Sequence, residues 1–227
     1  MNEDEVEAAK RAAGESAAAV VDDGDVVGLG SGSTAAEAIR VVGRAVDSGR
    51  SVVGVPTSFQ ARELAIEHGI PLAELDEVHV DVAIDGADQL AGSDCIKGGG
   101  ASHARERVVE ADADRFVVVV DPRKVADTLD DPVPVEVLPS ARRPAADAIE
   151  ALGGTPVLRR ASAKSGPVVT DNGNLVLDAD FGAVGEPAAL AADLDAIPGV
   201  VAHGLFVDMV DEVHVGAPDG SVDVRRP

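Results

Sequence analysis

The sequence predicts an α/β protein: a mainly parallel, Rossmann-like sheet with flanking helices, carrying an inserted α+β domain of ferredoxin-like pattern. Three observations predict it. Short apolar strands alternate with helical segments as far as Asp131. The runs at 80–84 and 116–120 are apolar almost throughout, as in strands covered on both faces. After Asp130-Asp131-Pro132 the order becomes βαββαβ, the split unit of that second fold. The expected division is 1–131 with 208–227 for the α/β domain and 132–207 for the inserted one.

Residues 3–21 read as a helix with Val6, Ala9, Ala13, Ala17 and Val20 along one face. Asp22–Asp25 is a turn, and Val26–Leu29 is a short strand. Gly30-Ser31-Gly32-Ser33-Thr34 follows, then a helix from about Ala35 to Val46. Ser51–Val55 is a strand, and Pro56-Thr57-Ser58 opens a helix over Phe59–His68. Pro71–Leu75 is a short strand or turn. Val78–Ile84 is a strand running into Asp85-Gly86-Ala87-Asp88. Lys97-Gly98-Gly99-Gly100 leads into a helix from about Ala101 to Ala111. Phe116–Val120 is a strand that ends in Asp121-Pro122-Arg123-Lys124.

In the second part, Val133–Val137, Thr155–Arg159, Leu175–Leu177 and Val200–Phe206 read as strands. Ser140–Leu152 and Pro187–Ile197 read as helices, and Gly153-Gly154 stops the first of them. Glu212–Val215 is a last strand available to the first sheet. Ligands of open α/β sheets bind beyond the carboxyl ends of the strands. The GSGST, DGAD and DPRK segments all follow strand ends.

Charge excludes several function classes. Net charge is −22, from 41 acidic against 19 basic residues, a field that repels nucleic-acid phosphates. There is no Trp or Tyr and only four Phe, so platforms for base stacking are missing as well. No apolar run reaches the length of a membrane span. The opening MNEDEVEAAK is acidic and polar, unlike a signal or transit peptide. The one cysteine, Cys95, cannot form an intramolecular disulfide, which fits a reducing cytoplasm.

Only Lys10, Lys97, Lys124 and Lys164 are lysines; arginine supplies the remaining basic residues. A solvated acidic surface nearly purged of lysine fits an ordinary acidic cytoplasmic protein or, the reading favoured by the skew toward arginine, adaptation to concentrated salt. At about 1 M salt the screening length is ~3 Å, and surface self-repulsion is largely cancelled. Stability and activity are therefore expected to fall in dilute buffer and to recover in molar KCl. Thermal melts across a KCl series check this, and a melting temperature flat from millimolar to molar KCl contradicts it.

Four motifs carry chemistry. In Gly30–Thr34, glycines admit an anion to the backbone, hydroxyls add donors, and the following helix turns free N–H groups to the same place. Phosphate binding and a plain strand-to-helix turn both satisfy this motif. The spacing of Gly28, Gly30 and Gly32 is not the dinucleotide fingerprint, because Ser33 stands at its last glycine position. Asp85 and Asp88 are a carboxylate pair for a metal or for hydroxyl protons, or else turn caps. No His or Cys cluster joins them, so no transition-metal site is expected. Lys97, Gly98, Gly99 and Gly100 offer a cation and bare amides for an oxyanion, or form a flexible loop. Glu106 follows in the next helix between two arginines, and the residues around it do not single it out.

Taken in order, GSGST, DGAD, KGGG with Glu106, and DPRK resemble the motifs of the type A ribose-5-phosphate isomerase family. The resemblance extends to GVPTSFQ at 54–60, VVTDNGN at 168–174 and AIPGVV at 196–201, and so spans nearly the whole chain. It implies an α/β domain with an inserted ferredoxin-like domain, and a homodimer or homotetramer that needs no cofactor or metal. It implies that Glu106 is the catalytic base. Ser31, Gly32, Ser33, Thr34, Asp85, Gly86, Ala87, Asp88, Lys97, Gly98, Gly99, Gly100, Lys124 and Lys10 then bind the sugar phosphate. Ser31 replaces the threonine of many relatives and keeps the hydroxyl.

The implied reaction interconverts D-ribose 5-phosphate and D-ribulose 5-phosphate through an enediolate. Asp85 assists ring opening, and Lys97 stabilises the oxyanion. Burial or the neighbouring Asp85 and Asp88 would raise the affinity of Glu106 for a proton. Two other functions compete: a non-catalytic sugar-phosphate sensor, and an amino-sugar-phosphate deaminase of similar fold. The sensor has no need of Glu106, and the deaminase would release ammonia.

Overall fold

The computed structural model describes residues 1–163 and 165–227; Lys164 lies outside the described residues. Helix α1 covers Glu3–Ala18, strand β1 Val26–Leu29, α2 Gly32–Asp47, β2 Val53–Pro56 and α3 Phe59–Glu67. Then come β3 (Val82–Gly86), β4 (Gln89–Ala91), β5 (Asp94–Ile96), α4 (His103–Asp112) and β6 (Arg115–Val120). The split unit is β7 (Val133–Val137), α5 (Arg142–Ala151), β8 (Thr155–Leu158), β9 (Leu175–Asp180), α6 (Pro187–Asp195) and β10 (Val200–His203). The chain ends with β11 (Leu205–Phe206), β12 (Glu212–Gly216) and β13 (Val222–Arg225).

Contacts group these elements into two units. The first holds Met1–Ala87, Arg105–Val125 and Met209–Pro227; the second holds Asp88–Ala104 and Ala126–Asp208. Relative to the expected division at 131/132 and 207/208, residues 88–104, 126–131 and 208 group with the second unit. The reason is a small sheet, β11-β5-β4, in which the 89–96 hairpin pairs with Leu205 and Phe206.

The first unit is built on a six-stranded sheet of order β13-β12-β6-β3-β1-β2. All neighbours in it are parallel except β12 and β13. Five of the six residues of β6 are fully buried, which accounts for its unbroken Phe-Val-Val-Val-Val run. Helix α1 starts with a capping box between Asn2 and Glu5. It buries Val6, Ala9, Ala13 and Ala17, as its periodicity predicts. Gly14 lets it lie directly on α2, since a Cβ there would stand 2.6 Å from the Glu37 side chain.

The chain steps from β1 to β2 on one side and then to β3 on the other. The switch point therefore falls between β1 and β3, where ligands of such sheets bind. The parallel strands deliver Gly30, Thr57, Ala87 and Asp121 to one rim of this sheet.

The second unit carries the antiparallel sheet β10-β7-β9-β8, the strand order of the ferredoxin-like split unit. Val133, Val135, Val137 and Leu177 pack with Ala145 and Ile149 of α5 and Leu194 of α6 in its core.

Several boundaries differ from expectation for visible reasons. Helix α2 begins at Gly32 instead of Ala35, which puts Ser33 and Thr34 in its first turn. Helix α4 begins at His103 instead of Ala101, because Ala101 is left-handed at φ 62°. The strand expected over 200–206 breaks at Gly204. There the N–H donates to the Pro134 carbonyl, and the carbonyl accepts from the Lys97 N–H. A Cβ at Gly204 would stand 2.7 Å from Pro134 Cδ. Residues 71–75 supply a single bridge, Leu72 to Gly54.

Candidate active site

In the first unit the site begins at Gly30, which ends β1. A Cβ on Gly30 would land on the Asp85 carboxyl group and lie 2.5 Å from Asp85 Cα, so this position admits only glycine. The close approach lets Asp85 Oδ1 accept the Ser31 N–H at 2.8 Å and the Gly86 N–H at 2.7 Å. Asp85 thus ties the GSGST and DGAD segments together while remaining 2% exposed.

The hydroxyl loop is further braced from β2. Ser31 Oγ donates to Ser58 Oγ at 2.8 Å and lies 3.1 Å from Thr57 Oγ1. Ser58 also accepts the Ala61 N–H, capping α3. Gly32 is left-handed at φ 85°, and its N–H donates to Gln60 Oε1 at 3.2 Å. The N–H groups of Ser33 and Thr34 remain at the N-terminus of a sixteen-residue helix, an arrangement suited to a phosphate.

Asp121 ends β6 on the same rim. Its burial pushes the carboxyl up, but hydrogen bonds from the Arg123 side chain and backbone outweigh this and hold it below the usual carboxylate range. The Asp121 hydrogen bond in turn holds the Arg123 guanidinium above its ordinary value, and the Glu7 charge adds to the effect. Arg123 is thereby committed to Asp121, while Lys124 stands beside it at the end of the same short 3-10 turn. Lys10 pairs with Glu7 at 2.6 Å.

The buried end of the site is acidic. Asp85, Glu106 and Glu110 each offer a carboxylate oxygen within 4.8 Å of the others, and all three residues are buried. Two full charges at that separation repel by about 3 kcal/mol at an effective dielectric of about 20. A shared proton or a cation among the three relieves the repulsion. Glu106 lies in the first turn of α4, where the helix terminus favours its anion, and Glu110 lies one turn further along. Such a set can accept, hold and return a proton.

The second unit holds the KGGG loop. Lys97 is 2% exposed, and its ammonium lies 5.4 Å from the centroid of the Phe206 ring, within cation–π range. Gly98 has φ 105°, and a Cβ there would stand 2.6 Å from the His103 ring. The loop is held at several points. Gly99 N–H donates to Asp88 Oδ2 at 2.7 Å, and Ala101 N–H closes onto the Gly98 carbonyl at 2.9 Å.

The expected roles are thus distributed unevenly. Asp85 and Asp88 both spend one oxygen on backbone amides, so turn chemistry accounts for half of each carboxylate. Of the three glycine amides expected for an oxyanion, that of Gly99 is already taken by Asp88. The sequence reading overlooked Thr57, Ser58 and Gln60, which brace the hydroxyl loop. It also missed Glu110, whose four-residue spacing from Glu106 on one helix was the available signal.

A profile of the family described as ribose 5-phosphate isomerase A (phosphoriboisomerase A) matches residues 53–220. The ribose-5-phosphate isomerase A of Haloarcula marismortui is 67% identical over 219 residues, covering 96% of each chain. The solved structure of ribose 5-phosphate isomerase A from Methanocaldococcus jannaschii is 43% identical, covering 96% of this chain and 98% of that one at a TM-score of 0.92. A D-ribose-5-phosphate isomerase solved in complex with phospho-erythronic acid is 41% identical over the full length of both chains, with a TM-score of 0.95.

Proposed function

Because the chain belongs to the ribose 5-phosphate isomerase A family, we propose a route for the reaction it catalyses, the interconversion of D-ribose 5-phosphate and D-ribulose 5-phosphate. Glu106 is the base. The carboxylate trio of Asp85, Glu106 and Glu110, buried at the switch point of the sheet, is the observation that carries this reading.

The phosphate is held by the amides and hydroxyls of Ser31, Gly32, Ser33 and Thr34, with Lys124 and Lys10 supplying positive charge. Asp85 is anchored by two backbone amides and assists opening of the furanose to the free aldehyde. Gly86, Ala87 and Asp88 line the sugar. Glu106 removes the proton from C2, and the electron pair forms the C1–C2 double bond of an enediolate. The hydroxyl proton passes from O2 to O1. Lys97 and the Gly98 and Gly100 amides stabilise the oxyanion charge. Glu106 then returns its proton to C1, giving the ketose. Every group in this sequence comes from the chain itself.

We also propose that the enzyme works as a homodimer or homotetramer in the cytoplasm, its −22 charge suited to concentrated salt. Among the described residues no helix is long and apolar enough to cross a membrane.

Turnover of ribose 5-phosphate in EDTA, with ribose as the comparison substrate, tests the reading. EDTA is expected to leave the rate unchanged. Loss of two charged hydrogen bonds, each worth about 1.5–3 kcal/mol, predicts at least ~100-fold lower kcat/KM for ribose. Inorganic phosphate is expected to compete with the substrate. Equal activity on the two sugars overturns the assignment of residues 31–34.

A further inference from the structure

We propose that Arg159 is a positioning residue for the oxyanion site, pinning the KGGG loop in its working conformation from the neighbouring sheet. The proposal rests on the reading above that this loop stabilises the enediolate.

Arg159 directly follows β8 and belongs to the same unit as the loop. Its Nη1 donates to the carbonyl oxygens of both Gly98, at 2.8 Å, and Gly99, at 3.0 Å. Its other edge is a fork onto Asp178 of β9: Nε reaches both carboxylate oxygens, at 3.1 and 2.9 Å, and Nη2 adds a further short contact. The backbone of Arg159 is fixed as well, its N–H donating to the Val176 carbonyl and its carbonyl accepting from Val168. The guanidinium is thus held rigidly by one strand while it gathers two successive loop carbonyls.

That arrangement decides where the loop amides point. A trans peptide directs its C=O and N–H to opposite sides, and the chain has no cis peptide bond. With the Gly98 carbonyl on Arg159, the Gly99 N–H is turned the other way, onto Asp88. With the Gly99 carbonyl also on Arg159, the Gly100 N–H is turned away from Arg159. A Cβ built on Gly100 would meet no atom within 4 Å, so there is open space beside this residue. Three glycines in a row would otherwise sample many conformations, and pre-orientation of donors is what makes an oxyanion site effective. A lysine at 159 has a single donor head, and cannot serve two carbonyls and a bidentate carboxylate together.

The test uses the full-length protein and four measurements: kcat, KM, affinity for phospho-erythronate and inhibition by inorganic phosphate. Phospho-erythronate carries a carboxylate whose two oxygens resemble the enediolate, whereas inorganic phosphate reports only the anchor. In Arg159→Met and in Arg159→Lys, kcat and phospho-erythronate affinity are each expected to fall at least ~10-fold, a fraction of the loss from deleting an oxyanion donor. KM for ribose 5-phosphate and inhibition by phosphate are expected to stay within about 3-fold. Arg159→Lys keeps a cation opposite Asp178, so it remains informative where Arg159→Met does not fold. Full kcat and analogue affinity in Arg159→Lys overturn the proposal, as does an equal loss of phosphate and analogue binding. Lys97→Met separates the two levels. If Lys97→Met loses analogue affinity while Arg159→Lys keeps it, the loop reading stands and the role of Arg159 falls. If Lys97→Met also keeps it, the reading of the loop itself is wrong.

Discussion

Replacing Glu106 by Gln is expected to lower kcat at least ~100-fold, the low end for loss of a general base, while KM for ribose 5-phosphate changes little. The substitution preserves side-chain size and leaves a hydrogen-bonding amide in a pocket where Glu106 is 4% exposed, so the fold should hold. It removes one of three carboxylates packed within 4.8 Å of one another, and the loss of repulsion favours stability. The variant is therefore expected to melt no lower than the parent while turning over far more slowly. Turnover in D2O sharpens the test. A proton carried by Glu106 through an enediolate exchanges with solvent in part, and ribulose 5-phosphate acquires deuterium at C1. Near-normal turnover in Glu106→Gln removes this residue from the mechanism.

Gly30→Ala is the second large effect. The added Cβ would occupy the place of the Asp85 carboxyl group, and backbone on one side must move. Overpacking of this kind costs about 1–3 kcal/mol. The movement also breaks the pair of hydrogen bonds by which Asp85 holds Ser31 and Gly86. A shift of ~1 Å at groups that position a substrate costs on the order of 100-fold in rate, so kcat/KM should fall at least that far. Gly24→Ala is the control. Gly24 has φ 103° with nothing within 4 Å of a Cβ, so Gly24→Ala carries only the strain of a left-handed non-glycine residue, about 1–3 kcal/mol, and leaves activity intact. Equal activity losses in the two variants would show that Gly30 acts through general stability alone.

The sequence made the framework of the first sheet legible because its strands are buried on both faces and its turns are marked by Gly, Asp and Pro. The β7–β10 unit was legible through its turns and its helices: Pro132, Gly153-Gly154 and the 171–174 loop separate its apolar strands, and α5 and α6 are long enough to show their period. Strands β4 and β5 escaped because three residues carry no period, and β13 because Val222 and Val224 sit on an edge strand with exposed residues; β11 was read as the end of β10. The motif loops were legible as phosphate and oxyanion chemistry, but their internal bracing was not. Nothing in a run such as Leu158-Arg159-Arg160 indicates which arginine turns to the loop carbonyls. That choice is made by Asp178, nineteen positions further on. Likewise Asp88 read as a sugar ligand, and only the three-dimensional path of the KGGG loop shows it holding the Gly99 amide.

The place of β12 in the first sheet has a consequence for biosynthesis. Its residues pair with β6 from Glu212↔Val117 to Val215↔Val120, and Gly216 lets it lie against the backbone of α1 at Ala9. Residues 117 and 9 leave the ribosome long before residue 212 does. Throughout that interval β6, an apolar strand, has one edge without its partner, and α1 lacks part of the surface it packs on. An unpaired apolar edge is a template for wrong pairing. The ferredoxin-like sheet waits almost as long, since its last strand β10 ends at His203 and β12 begins at Glu212. Both sheets therefore wait for strands from the end of the chain, and the sheet that carries Gly30 and Asp85 keeps the β6 edge open through nearly all of synthesis.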